Sequence, residues 1–369
     1  MNISPFNAQF PRTELITSPD LYTESVKNEY KNYNKAGYYD KFETASLYIC
    51  KIKSSVGEHI GLVASNNIED LENGKILKHE HTLNQKEQTM ISFLLQTRAM
   101  VKPVLLAHPP IDYLERMLEE HIKTNQPFLE FSFANGLETH SFWAISDQKQ
   151  IDEIVTIFKN EVNKCYIADG HHRCSVTIRL QQSNFVQQAN ADLTGLLCIY
   201  FPFDQLNILD YNRSIDILHE IPPAVVMAKL SEHFKIKVIK SLRVPTKKHE
   251  IILSMEGVTY CLEWKGKVLN AHVHEKVVLD ADLLNDYVFT KIMGVKDVRT
   301  DKRLSYFEGE KKLDFVSTYL KNNPTQICFF LYPVQIEELV TVANEGETLP
   351  PKSTWFVPRI KSGLIIKEF

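Results

Sequence analysis

Residues 169–173 read Asp-Gly-His-His-Arg and follow the apolar run Cys165 to Ala168. Beyond them the apolar positions Val176, Ile178 and Leu180 continue a helical pattern. A short strand, a tight glycine turn and a helix start are the natural reading. The first N–H groups of a helix lack intrahelical partners, and the macrodipole is positive there. Such an end attracts anions. Gly170, His171, His172 and Arg173 are therefore candidate ligands of a phosphate or carboxylate, with Asp169 beside them. The competing reading is a His-His pair that caps the helix or lies on the surface. Neither a Walker A loop nor a GxGxxG string is present.

Three other polar clusters can carry chemistry. Lys78-His79-Glu80-His81-Thr82 follows an Asn73-Gly74 turn signal. His and Glu side by side serve as base and partner, or bind a cation, but no HExxH spacing is present. The plain alternative is a polar loop entering a helix near Asn84. Asp210-Tyr211-Asn212-Arg213 ends an apolar run, and Arg213 is either a bidentate anion clamp or part of a surface turn. Near the C-terminus, Lys352, Ser353 and Thr354 sit in a proline-held segment suited to phosphate contacts, with Trp355 and Phe356 as apolar anchors. The alternative there is a tail stapled down for stability.

The elements that must position these groups are legible in outline. A helix is expected over 20–35, strands over 48–52 and 59–64, a helix over 87–100 and a strand over 102–107. Residues 112–124 read as helix. Phe128 to Phe133 and Glu138 to Ile145 flank Asn135-Gly136 as a hairpin. Asp147 caps a helix reaching Phe158. Strands follow at 195–201 and 206–209. After Ile221-Pro222-Pro223 come a helix over 224–234, strands over 235–240, 249–254, 258–264 and 267–273, and helices over 281–293 and 312–322. The last strand is 327–332, and 349–359 is too proline-rich for regular structure.

The chain has 369 residues, 44% hydrophobic and 24% charged, enough for two or three domains with sizeable cores. A net charge of −4 argues against a nucleic-acid partner. Six scattered cysteines without a CxxC pair suggest free thiols in a reducing compartment. Cys174, next to Arg173, is either a buried structural thiol or a neighbour of the site. The N-terminus has no secretory pattern and no apolar run is long enough for a bilayer, so a cytoplasmic protein without a membrane partner is expected.

The clusters together resemble the family called domain of unknown function 1015, over essentially the whole chain. The matching pieces are Ser4-Pro5-Phe6, Gly74 to Thr82, Trp143, Ala168 to Arg173, Leu206 to Leu209 with Arg213, and Pro351 to Phe356 with Pro358-Arg359-Ile360 and Gly363. Asn212 stands where the family usually has His, and Arg359 where Lys is usual. More distantly, Asp169 to Arg173 is similar to the signature of the ParB and sulfiredoxin superfamily, which includes kinases of free serine. His171 replaces the reactive Cys of sulfiredoxin, which argues against sulfinic-acid reduction.

The resemblance implies an α+β, mixed α/β fold with a ParB/sulfiredoxin-like core. The Ile221-Pro222-Pro223 segment marks a boundary between domains 1–220, carrying the turn, and 221–369, an α/β region whose tail is expected to return to the site. The resemblance implies a small-molecule kinase, with ATP, ADP or pyrophosphate as donor and free serine as acceptor. In that reading Gly170 to Arg173 hold phosphate, and Arg213, Lys352, Ser353 and Thr354 close around it. Glu80 accepts the hydroxyl proton and His79 orients it or touches phosphate, while Asp169 positions substrate or Mg²⁺ brought with a nucleotide. No tightly bound metal is implied, and the oligomeric state stays open. The competing function is a non-enzymatic sensor of a nucleotide or phosphometabolite. An acid/base hydrolase ranks last, because no nucleophile–base spacing is visible.

Overall fold

The Asn135-Gly136 pair turns the chain tightly between the strands Leu129–Phe133 and Glu138–Ile145, with Asn135 at φ +56°. Leu129, Phe131 and Phe133 alternate inward, so the hairpin buries one face as period-two patterning requires. The computed structural model describes residues 1–80, 84–183, 193–311 and 313–369, with the backbone alone at 84–86. His81 and Thr82 lie outside the described residues.

Contacts divide the chain into two compact units, Met1–Asn207 with Pro358–Phe369, and Ile208–Val357. The first unit is built on a nine-stranded mixed sheet. Its main path runs through Ile76–Leu77, Cys165–Asp169, Val104–His108, Gly195–Pro202, Gly57–Asn67 and Leu47–Ser54 to the hairpin. The central strand Gly195–Pro202 is buried along its whole length, as a strand covered on both faces must be. Helices pack around this sheet. In Gln148–Glu161, Ile151, Ile154, Ile157 and Phe158 form the buried stripe, and Asp147 accepts the Gln150 N–H as its cap.

The second unit carries a six-stranded sheet in the order Phe234–Ile239, Val258–Trp264, Glu250–Met255, Gln326–Phe330, Tyr211–Asp216, Leu304–Glu308. Every pairing in it is antiparallel. A core of Ile251, Leu253, Leu262, Phe289 and Phe329 packs against one of its faces. The fold is mixed α/β.

Local readings differ from the structure at several places; residues 99–100, expected at the end of a helix, form the strand Ala99–Met100 instead. Residues 267–273, expected as a strand, include the helix Gly266–Asn270. The Lys265 carbonyl accepts the N–H groups of Val268 and Leu269, and Val268 enters the core. The proline-rich tail contains the strand Trp355–Val357, paired with Asn207–Leu209. Arg213 lies inside the buried strand Tyr211–Asp216, which rules out the surface-turn reading. Elements without a sequence expectation include the strand Leu304–Glu308 and the helix Ile336–Asn344, the latter held by a Gln335/Glu338 capping box. Among the described residues no helix is long and apolar enough to cross a membrane.

Candidate active site

The turn after Cys165–Asp169 is built by sheet register. Cys165 and Tyr166 pair in parallel with Ile76 and Leu77. Parallel strands end on the same side, so the chain leaving Leu77 and the chain leaving Asp169 emerge together. His79 and Glu80 are thereby carried to Gly170 and His171. On its other edge Cys165–Asp169 runs antiparallel to Val104–His108, with Asp169 opposite Leu105. Antiparallel pairing brings the residues just before Val104, Lys102 and Pro103, beside the turn.

Gly170 makes the turn at φ +118°, a conformation L side chains rarely adopt. A Cβ there would stand 2.9–3.1 Å from the Arg173 guanidinium. The helix His171–Gln181 starts at once, and its opening N–H groups project from the turn. The helix Asn84–Thr97 is tied to it by a 2.6 Å ion pair between Glu87 and Arg179.

His171 links the two arriving segments. Its Nε2 accepts the backbone N–H of His79 at 3.3 Å, which places the ring proton on Nδ1. Nδ1 faces Glu80 Oε2 at 3.8 Å. The His79 ring is fully buried and stands edge-on to His171, with centroids 4.5 Å apart. Burial lowers the pKa of His171 to about 4, and burial together with His171 holds His79 well below the ordinary imidazole range. Both rings are therefore neutral at pH 7. Glu80 is partly exposed and accessible to a ligand at the turn.

Asp169 is the hub of a second cluster. Its Oδ2 accepts from Lys102 Nζ and from Arg173 Nη2, each at 3.1 Å. Burial alone would raise this carboxyl, but Arg173, Lys102 and Arg359 together hold it well below the usual carboxylate range. Arg173 Nη1 donates to the carbonyls of Lys102 and Pro103. The guanidinium is thus a brace across the base of the turn. Lys102 has its pKa lowered to about 8, because burial outweighs the pull of Asp169. Lys102 drew no notice in the sequence, since nothing local marks a Lys-Pro pair 67 residues upstream of Asp169. Cys174 is buried and its thiol is pushed up to about 12, which makes it a structural residue.

The other candidates belong to the second unit. Arg213 is buried, and its guanidinium donates to the carbonyls of Tyr211 and Lys352. Ser353 is buried and donates to the Pro350 carbonyl at 2.8 Å. Lys352 is exposed at φ +59°, with Nζ 5.3 Å from the Tyr211 ring centroid. Thr354 is half-buried ahead of the strand Trp355–Val357. Among the described residues no three His, Cys, Asp or Glu side chains group as metal ligands.

A family profile described as "Protein of unknown function (DUF1015)" matches residues 5–282. The chain belongs to this family. No functionally curated protein matches it. Solved structures similar to it include a free serine kinase mutant in complex with AMP, 14% identical, covering 80% of this chain and 87% of that one at a TM-score of 0.38. C-terminally truncated SbnI from Staphylococcus aureus is 12% identical, with 83% and 87% covered and a TM-score of 0.39. A conserved hypothetical protein from Pyrococcus furiosus is 13% identical, with 83% and 95% covered and a TM-score of 0.38.

Proposed function

We propose that this DUF1015 member is a small-molecule kinase that binds nucleotide phosphate at the Gly170 turn. The observation that carries the reading is the meeting of a helix N-terminus with a partly exposed carboxylate, Glu80, held 3.8 Å from His171 Nδ1. Backbone N–H groups at His171–Arg173 receive phosphate oxygens, and Lys102 adds positive charge behind them. Glu80 takes the proton of the acceptor hydroxyl as the new O–P bond forms and the bond to the leaving phosphate oxygen breaks. His171, neutral and with its proton on Nδ1, orients that carboxylate. Asp169 acts by positioning, because its Oδ2 already accepts from Lys102 and Arg173. A Mg²⁺ ion, if used, comes with the nucleotide and supplies charge neutralisation on the phosphates.

Free serine as acceptor rests on the likeness of Asp169 to Arg173 to the corresponding string of free-serine kinases. The test is a panel of amino acids, serine included, with ATP, ADP or pyrophosphate, followed by ³¹P NMR. A new phosphomonoester with one acceptor supports the reading. Nucleotide binding without product across the panel favours a sensor. One observation favours that second reading: Arg173 is already engaged by Asp169 and two carbonyls, which reduces the cationic charge available for transition-state stabilisation.

A further inference from the structure

We propose that Tyr287, in the second unit, is a reactive phenol that takes up acyl groups from activated acyl donors, with His272 as the base that receives its proton. Three side chains form a continuous chain of hydrogen bonds. His272 Nδ1 lies 2.6 Å from Glu275 Oε1, and its Nε2 lies 3.3 Å from the Tyr287 hydroxyl. An ionised carboxylate only accepts, so the proton of the neutral ring is on Nδ1 and Nε2 accepts from the phenol. A nucleophile, a base within hydrogen-bond reach and a third group that orients the base make up the arrangement of an activated nucleophile.

The setting of Tyr287 adds to this. It stands in the turn Leu284–Thr290, which is π-helical: the Lys291 N–H bonds the Asp286 carbonyl, and the Met293 N–H bonds the Val288 carbonyl. Such turns are rare and recur at functional sites. Three other rings, His233, His272 and Trp264, stand edge-on to the Tyr287 ring, with centroids 5.1, 5.9 and 6.1 Å away, and fix its orientation. Lys291 Nζ lies 4.1 Å from the ring centroid, so a positive charge faces the ring as the phenol loses its proton. The relay lies at the surface, with Tyr287 half-buried and Glu275 55% exposed. In the step, the bond from Tyr287 Oη to the acyl carbon forms, and the bond from that carbon to its leaving nitrogen or oxygen breaks. The phenol proton passes to His272 Nε2 and from there to the leaving group. All these residues belong to the second unit, so the proposal stands whether or not the Gly170 turn binds nucleotide.

The experiment treats the full chain with N-acetylimidazole at neutral pH and follows each tyrosine by peptide mass mapping. Hydroxylamine releases acetyl from tyrosine and leaves acetyl-lysine intact, which separates the two. Tyr287 should acetylate about tenfold or more faster than Tyr113, an exposed tyrosine whose hydroxyl donates to a carboxylate, Glu153. His272→Gln keeps an acceptor for the phenol but takes up no proton, and should slow Tyr287 by about tenfold or more. Glu275→Gln should slow it about two- to fivefold, the worth of an exposed charged pair. Acetylation of Tyr287 no faster than that of Tyr113 would overturn the proposal. So would equal rates at Tyr287 in wild type and His272→Gln, or acetylation of Lys291 in place of Tyr287. If His272→Gln fails to fold, the Glu275→Gln rate and the wild-type ratio of Tyr287 to Tyr113 decide.

Discussion

Glu80 and His171 face each other across the turn, Oε2 to Nδ1 at 3.8 Å, while the far nitrogen of the imidazole accepts the His79 N–H. One ring thereby fixes both the tautomer and the direction of its polar edge. A neutral imidazole of this kind presents an N–H towards the carboxylate.

The first consequence concerns His171 itself. With its pKa lowered to about 4 by burial, His171 should stay neutral from pH 8 down to about pH 5. Long-range ¹H–¹⁵N spectra should show an Nδ1–H tautomer throughout that window. Protonation near pH 6.5 would contradict the geometry.

Gly170 is the second point of test. Ala at φ +118° is strained and its Cβ meets the Arg173 guanidinium. Gly170→Ala should cost about 1–3 kcal/mol in thermal or denaturant unfolding. It should also weaken ADP binding, because the helix N-terminus is displaced. Unchanged stability and affinity would mean that the turn is not the strained element described.

Asp169 sets the acid side of the stability profile. Its folded-state pKa is depressed, so its contribution is fully present above the unfolded carboxylate value and is lost as pH falls through the folded value. The wild type should lose stability progressively below about pH 4. Asp169→Asn should flatten that fall and lower stability at neutral pH by about 3 kcal/mol. This is the low end for breaking a buried pair, since Lys102 and Asp169 are 25% and 24% exposed.

Lys102 sets the alkaline side. Its pKa of about 8 means that the turn loses a positive charge as pH rises through 8. ADP affinity should therefore fall between about pH 7 and 9, and Lys102→Arg should flatten the fall. Over about pH 8–10.5 the unfolded state holds the proton that the folded state has released, so the Lys102 contribution to stability rises with pH. An affinity profile identical for wild type and Lys102→Arg would remove Lys102 from the site.

Local signals carried much of this in the sequence. The strand–glycine–helix pattern at Cys165 to Leu180, the Asn135-Gly136 hairpin and the Asp147 cap are all short-range features, and their residues announce them. Lys102 was invisible because an antiparallel register with Val104–His108 places it, and register is a property of the folded sheet. Arg213 stayed open between an anion clamp and a surface turn for a related reason. Asn-Arg-Ser has a surface composition, yet Tyr211–Asp216 lies between two other strands and is buried almost throughout. The helix Gly266–Asn270 shows the reverse case, where a Lys-Val-Leu run reads as strand but closes on the Lys265 carbonyl.

The most direct test of the central claim is Glu80→Gln, assayed for phosphoryl transfer by ³¹P NMR beside an ADP-binding titration of the same preparation. Loss of the general base predicts turnover lower by about 10²–10⁴-fold, with ADP affinity and melting temperature near the wild type. Normal turnover in the folded, nucleotide-binding variant would contradict it.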